Sequence, residues 1–432
     1  MKEKVLAYIW MSRMFIPGIL HTVNGDNVEI INSGTPNNDA GPDIFNAMIK
    51  INGTLWAGNV EFHVRSSDWY HHGHHLDPAY DNIILHVVFE SDTDVRRPDK
   101  TKIPELELKG KIQSGFLEKY HFLMNNKKWI PCENLIGETS SLLATSAAET
   151  MLVERFTRKA ESILQLMEAH KLSWSEILYR SLASNFGFKL NGIAFEMLAS
   201  SVPLKYAARI RNEHSMIEAL YFGQSGLLES DCADDYHKQL LKDYRFLQRK
   251  FNLKPMDGHI WKFLRTRPGN FPTIRISQFA HLVFRSENLF ARLIGSANIK
   301  EIKDLFDVEV SEYWKNHWTF GKESKRQDKI LGESSRENII VNTVLPFYFA
   351  YSKAKADTRY SLRALDFCEK LKGEKNHITT HWENLGLPVK SMFFTQGLIE
   401  LKNRYCARRR CLECRIGNSI LRNPVAKSQD NY

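Results

Sequence analysis

The stretch Gly41-Pro42-Asp43-Ile44 … Asn52-Gly53 … Gly58-Asn59-Val60-Glu61-Phe62-His63 decides how this chain is read. Ile44–Ile51 and Leu55–Val64 have the composition of strands, and Asn52-Gly53 between them is a strong short-range signal for a hairpin turn. Antiparallel pairing sets the start of the first strand opposite the end of the second, which brings Asp43 towards Glu61. Residues 61 and 63 are two apart, and a strand alternates its side chains, so Glu61 and His63 project from one face. Asp43, Glu61 and His63 are therefore candidate catalytic residues. Two carboxylates with a nearby backbone carbonyl make a hard oxygen site suited to Mg²⁺ or Mn²⁺. An ion held by Asp43 and Glu61 can activate water and neutralise charge developing on a phosphate. The plainer alternative is ordinary turn chemistry at Pro42-Asp43 and a solvated Glu-x-His on an edge strand.

Outward from the hairpin, a helix is expected over Lys4–Phe15, a strand over Asn27–Asn32 and a turn-rich loop over Ser33–Pro42. Further strands are expected over Asn82–Phe89 and Glu105–Lys109. From about Gln113 the spacing turns helical, in Ala147–His170, Trp174–Phe186, Ile193–Ala199, Leu204–Arg211 and Met216–Phe222. The fold class expected is an α/β N-terminal domain, residues 1–112, followed by a mainly α-helical region, residues 113–432. The residues after Asn423-Pro424 are expected to form a frayed tail.

Composition excludes several classes. With 432 residues, 43% apolar and 25% charged, the chain is neither disordered, collagen-like nor a disulfide-stapled miniprotein. No apolar run approaches the roughly eighteen residues of a membrane span, and Val5–Met11 followed by Arg13 reads as an amphipathic helix and not a signal peptide. A cytoplasmic location with reduced thiols and no membrane partner is expected. The net charge of +9 is unevenly placed: residues 1–110 hold 10 basic and 15 acidic groups. Lys242–Arg275 holds 9 and 2, and Lys402–Tyr432 holds 8 and 2. An acidic front and a basic rear point to a reaction centre with nucleic acid as the partner.

The Pro-Asp strand and Glu-x-His strand, following a helix and a first strand, resemble the PD-(D/E)XK nuclease superfamily over roughly residues 1–110. The whole chain resembles an uncharacterised bacterial domain-of-unknown-function family whose N-terminal part carries this motif and a Trp/His-rich segment like Ser67-Asp68-Trp69-Tyr70-His71-His72-Gly73-His74. The resemblance implies a restriction-endonuclease-like fold, with Asp43, Glu61 and the Phe62 carbonyl as metal ligands. His63 occupies the position of the superfamily's lysine, a departure that leaves open whether the site cleaves. Lys50 and Lys109 are candidates for the missing charge. The resemblance also singles out His74 and Asp81 as substrate-binding. Arg267 and Arg275, in and beside the basic loop Arg265-Thr266-Arg267-Pro268-Gly269-Asn270-Phe271-Pro272, are singled out in the same way.

Six of the sixteen histidines fall between His63 and His86. They read as a polar loop above the acidic pair with His86 below it, or as a zinc site, although their spacing matches neither a zincin nor a finger. Cys406-x4-Cys411-x2-Cys414 has metal-ligand spacing but is one ligand short. Cys132 would complete an iron–sulfur cluster, as in some PD-(D/E)XK nucleases; His377 or His381 would complete a Zn²⁺ site; free thiols on a basic helix are the simpler alternative. Three functions follow: a divalent-metal-dependent phosphodiesterase acting on DNA or RNA, a degenerate nucleic-acid-binding protein of the same fold, or a metallohydrolase of small phosphorylated substrates.

Overall fold

A computed structural model describes residues 1–422 apart from 17, 19, 38, 230, 231 and 233, and apart from the side chain of Glu138. The tail expected after Asn423-Pro424 lies outside the described residues. The chain divides into two compact units, one made of Met1–Ala147 and the segment from Leu401 onward, the other of Ala148–Glu400.

In the first unit, α1 (Glu3–Ser12) buries Val5, Leu6, Ile9 and Trp10 along one stripe and stops at Arg13, which takes a left-handed φ of 51°. Seven strands follow: β1 (Leu20–His21), β2 (Asn27–Asn32), β3 (Thr35–Pro36), β4 (Ile44–Ile51), β5 (Thr54–Arg65), β6 (Ile83–Glu90) and β7 (Glu105–Glu107). They form one mixed sheet in the order β1-β2-β4-β5-β6-β7, with β3 paired to β4. Pairing is antiparallel up to β4–β5 and parallel for β5–β6 and β6–β7. The hairpin turn falls at Asn52 and Gly53, with φ of 48° and 82°, as a type I′ turn requires.

Parallel strands need a crossover. The segment between Arg65 and Ile83 supplies it with α2 (Asp68–His71) and two single turns of 3₁₀ helix, His74–Leu76 and Pro78–Tyr80. β6 reads Ile-Ile-Leu-His-Val-Val and is buried throughout those six residues, the pattern of a central strand covered on both faces. Its one polar member is His86. Alternation along β5 divides the layers. Phe62 meets Trp10 of α1 edge to face at 6.1 Å, while His63 turns to Trp69 of the crossover.

The first unit extends past the boundary expected at residue 112. The α1 ring Tyr8 stacks on Phe116, at the start of α3 (Phe116–Asn125), with centroids 5.7 Å apart. Its hydroxyl donates to Asn418 Oδ1 at 2.6 Å, in the closing helix Arg415–Arg422. One face of α1 is thus completed by segments some three hundred residues apart, a long-range dependence that local periodicity does not carry.

The second unit is helical, apart from a short hairpin of His317–Thr319 with Lys322–Glu323. Its helices include Trp174–Phe186, Phe188–Ser201 and His214–Gln224, which contain the stretches expected from their spacing. Phe156, Phe186, Phe195, Phe279, Trp314 and Tyr348 lie in its core. Among the described residues no helix is long and apolar enough to cross a membrane.

Trp10 is fully buried and donates through Nε1 to the Ser33 carbonyl at 2.9 Å. Trp10→Ala should cost about 3–5 kcal/mol, the usual range for emptying a large aromatic site. A guanidinium unfolding curve of the first unit's transition measures it.

Candidate metal centre

The β4–β5 pairing brings the acidic pair into contact. Asp43 N–H donates to Glu61 Oε2 at 3.0 Å, and Phe62 N–H donates to Asp43 Oδ2 at 3.2 Å. Just beyond this contact the ladder is bulged. Phe45 and Asn46 oppose Asn59 alone, and Asn46 adopts a φ of 56°. The bulge lets Ile44 still pair with Val60 next to the two carboxylates. Burial, and then the charge of Glu61, push the Asp43 carboxyl up to about 7, while the Phe62 N–H pulls the other way.

The neighbouring strands extend the polar row. Parallel register puts Glu61 beside His86, and His86 beside Glu105. All three lie almost wholly out of water, as does His63 at 1% exposure. Ser66 Oγ donates to Glu105 Oε1 at 2.8 Å; His86 Nδ1 is 3.0 Å from Glu105 Oε2; His86 Nε2 is 2.8 Å from His63 Nδ1. A carboxylate only accepts, so the direction of the whole row follows from Glu105. His86 donates from Nδ1 and accepts at Nε2, and His63 donates from Nδ1. The Nε2 lone pair of a neutral His63 is then directed into the site. Burial keeps His63 neutral, lowering its pKa to about 2, and nearby His86, His74 and His72 add to the effect.

The crossover closes the site. Gly73 takes a φ of 74° between His72 and His74, and both flanking rings meet His63. His72 Nδ1 lies 3.1 Å from His63 Nε2, and His74 Nε2 lies 3.3 Å from Glu61 Oε1. His74 stacks on Tyr80 with centroids 3.8 Å apart, which fixes its plane. One ligand atom each from His63, His72 and His74 lie within 4.8 Å of one another. Glu61 Oε1 is 4.0 Å from His63 Nε2. Glu3, in the first turn of α1, is near enough to feel His72 and Glu61, although burial is the main cause of its raised pKa. Imidazoles beside carboxylates make a mixed nitrogen–oxygen donor set, which suits Mn²⁺ or Zn²⁺ better than the all-oxygen shell Mg²⁺ favours.

Of the residues singled out from sequence, Asp43, Glu61, His63 and His74 converge here. His72 and His86 of the histidine cluster join them, His72 from the loop and His86 from the next strand, while Glu105, Ser66, Tyr80 and Glu3 join unforeseen. Asp81 is exposed beyond the Pro78–Tyr80 turn, and His71 points outward, 3.5 Å from Asp68. Neither candidate lysine reaches the acidic pair: Lys50 pairs with Glu29 at 3.6 Å and Lys109 with Glu90 at 2.7 Å. Arg267 and Arg275 belong to the second unit. Arg267 is exposed in its loop. Arg275 is buried, donating to Gln278, Asn270 and Ser335 and lying 4.6 Å over the Phe188 ring, so its guanidinium serves the helical core. Cys132, Cys406, Cys411 and Cys414 all lie in the first unit.

A carboxyl whose folded pKa is raised binds a proton that the unfolded chain has already released, so it loses stability as pH rises between the two values. Metal-free protein should therefore lose the Asp43 contribution between about pH 4 and 7. Asp43→Asn should not, so the variant's stability relative to the parent should climb across that window. Paired urea melts in EDTA at pH 4.5, 5.5 and 7 measure the difference; a pH-independent gap would contradict the raised value.

No curated protein and no solved structure matches the chain. One family model does, over residues 3–377, a span that contains Glu3, Asp43, Glu61, the crossover histidines, His86 and Glu105 together with most of the helical unit. The chain belongs to that family, described as a protein of unknown function (DUF2851).

Proposed function

We propose that the first unit is a divalent-metal-dependent phosphodiesterase acting on nucleic acid. The observation that carries this reading is the convergence of Asp43 and Glu61 with the neutral, inward-facing Nε2 of His63. The strand order supports a restriction-endonuclease-like classification. A helix precedes an antiparallel set carrying Pro-Asp and Glu-x-His, and a helical crossover then leads to a strand parallel to the last. His63 stands where that superfamily has lysine.

A divalent ion held there supplies an acidified water and neutralises charge on the phosphate. Glu61 and Asp43 are its carboxylate ligands in this reading, with His63, and His72 or His74, as nitrogen donors. The Phe62 N–H holds the Asp43 carboxylate in orientation, and Tyr80 does the same for His74 by stacking. Glu105, acting through His86, would keep the His63 Nε2 lone pair turned into the site for a metal to use. The crossover histidines and Trp69 wall the polar row from bulk water.

A basic surface in the second unit supports nucleic acid as the substrate class. On the helix Asp235–Phe251, Lys242, Arg245, Arg249 and Lys250 are exposed around Phe246, itself 52% exposed. Cations beside an accessible ring suit phosphates and bases together.

Purified full-length protein should cleave single- or double-stranded DNA or RNA with Mn²⁺, and less readily with Mg²⁺. Asp43→Ala, Glu61→Ala and His63→Ala should each lower the rate roughly a hundredfold or more. Salt-sensitive binding with no metal-dependent cleavage would replace the enzyme with a binding protein of the same fold. Phosphate release from a small phosphoester without nucleic-acid affinity would replace the substrate class.

Glu105→Gln tests the row separately. The amide can present an N–H to His86 and reverse the tautomers, so Mn²⁺ affinity by calorimetry should fall about 10–100-fold. An unchanged affinity would mean the row orients nothing.

A further inference from the structure

Four of the six cysteines come together away from the carboxylate–histidine site. Cys132 follows α3 in the turn Trp129-Ile130-Pro131-Cys132-Glu133. Cys406 opens one 3₁₀ turn (Cys406–Arg408), Cys411 opens another (Cys411–Glu413), and Cys414 directly precedes the helix Arg415–Arg422. All four are free thiols. Cys132, Cys411 and Cys414 are each 7% exposed and Cys406 is partly buried. In every one of the six pairs, the two sulfurs are near enough for a charge on one to disfavour a charge on the other.

The backbone around them is shaped for ligation. Arg409, at a φ of 53°, reverses the chain between Cys406 and Cys411, and Cys414 N–H donates to the Cys411 carbonyl at 3.3 Å. The N–H groups of Ile416 and Gly417, in the first turn of the following helix, point to the Cys414 sulfur. Burial raises the pKa of all four thiols, and at Cys414 these two donors work against it. Gly417 is required there: a Cβ would lie 2.3 Å from the Cys411 carbonyl oxygen. Side chains fasten the same loop to the Cys132 region. The Arg409 guanidinium donates to the carbonyls of Leu123, Met124 and Asn126 at 3.1, 2.6 and 2.8 Å. Lys402 Nζ donates to the Trp129 carbonyl and lies 4.5 Å over its ring.

The spacing of the sulfurs distinguishes between metals. Four thiolates on one Zn²⁺, at about 2.3 Å each, stand only ~3.8 Å apart. Among the described residues, the group of three potential ligand atoms all within 4.8 Å of one another is that of His63, His72 and His74, so in any three of the four sulfurs at least one pair stands farther apart than that. A four-cysteine shell wider than zinc's is the arrangement of an iron–sulfur cluster.

We propose that Cys132, Cys406, Cys411 and Cys414 ligate an iron–sulfur cluster that staples the C-terminal segment to the N-terminal unit. The site is structural and independent of the carboxylate–histidine centre. Lys402 beside Cys406 and Arg409 beside Cys411 offset part of the negative charge that four thiolates bring.

Full-length protein purified without oxygen should be brown, with thiolate-to-iron absorption that dithionite bleaches, and should contain iron and acid-labile sulfide in equal amounts. Cys411→Ser and Cys132→Ser should lose both. Cys232→Ser, outside the quartet, and His63→Ala, at the other site, should retain both. One zinc per chain without sulfide, or a parent protein with neither metal nor sulfide, would overturn the proposal. That measurement on the parent decides the matter even if the quartet variants fail to fold. Loss of the iron and sulfide in His63→Ala would overturn the independence of the two sites.

Discussion

The parallel register of β5 against β6 is the constraint on which the site depends. It sets Glu61 beside His86 and, through β7, His86 beside Glu105. A strand alternates its faces with period two, so a slip of one residue would send His86 to the opposite face and Glu105 would lose its partner. The register is held by burial. β6 has apolar residues on both sides of His86 from Ile83 to Val88, and Phe62 of β5 is locked against Trp10. The hydrophobic effect thus fixes, to within one residue, where the buried polar groups meet.

Local signals made the hairpin legible. The Asn52-Gly53 turn needs only two residues of positive φ, and the pairing it dictates brings Asp43 to the far end of β5, where the bulge at Phe45 and Asn46 sets it against Glu61. His63 followed from alternation alone. The rest of the site depends on parallel pairing and on a crossover, and neither leaves a short-range mark. Glu105 sits in a three-residue strand whose partner is known only once β6 is placed. His72 and His71 look alike in sequence, yet one meets His63 and the other faces solvent, because α2 and the left-handed Gly73 set their directions. Glu3 belongs to the helix packed on the other side of the sheet.

The extent of the N-terminal unit was hidden for the same reason. Period changes near Gln113, and composition suggests a cut there. Tyr8, however, needs Phe116 on one side and Asn418 on the other. The charge pattern divides similarly. Of the C-terminal cations, Arg409 and Lys402 are committed to carbonyls of the same unit and Arg410 to Glu413. On the helix Asp235–Phe251, Lys242, Arg245, Arg249 and Lys250 are exposed. Clustering in sequence alone could not separate arginines that build the fold from lysines and arginines left exposed.

The buried row itself argues for function over stability. A carboxylate and two imidazoles withdrawn from water incur a desolvation penalty that hydrogen bonds only offset, and apolar residues in the same sheet positions would pack without it. Each member has its partner: Ser66 and His86 for Glu105, His63 for His86. What the row gains is direction, since a chain of donors anchored on a carboxylate turns the His63 Nε2 lone pair towards His72 Nδ1, 3.1 Å away. That nitrogen lies 4.0 Å from Glu61 Oε1, and Glu61 in turn meets Asp43, whose carboxyl is pushed up to about 7 by burial and by its neighbour's charge. Holding these groups together out of water costs stability, which is the physical ground for proposing a divalent ion among them.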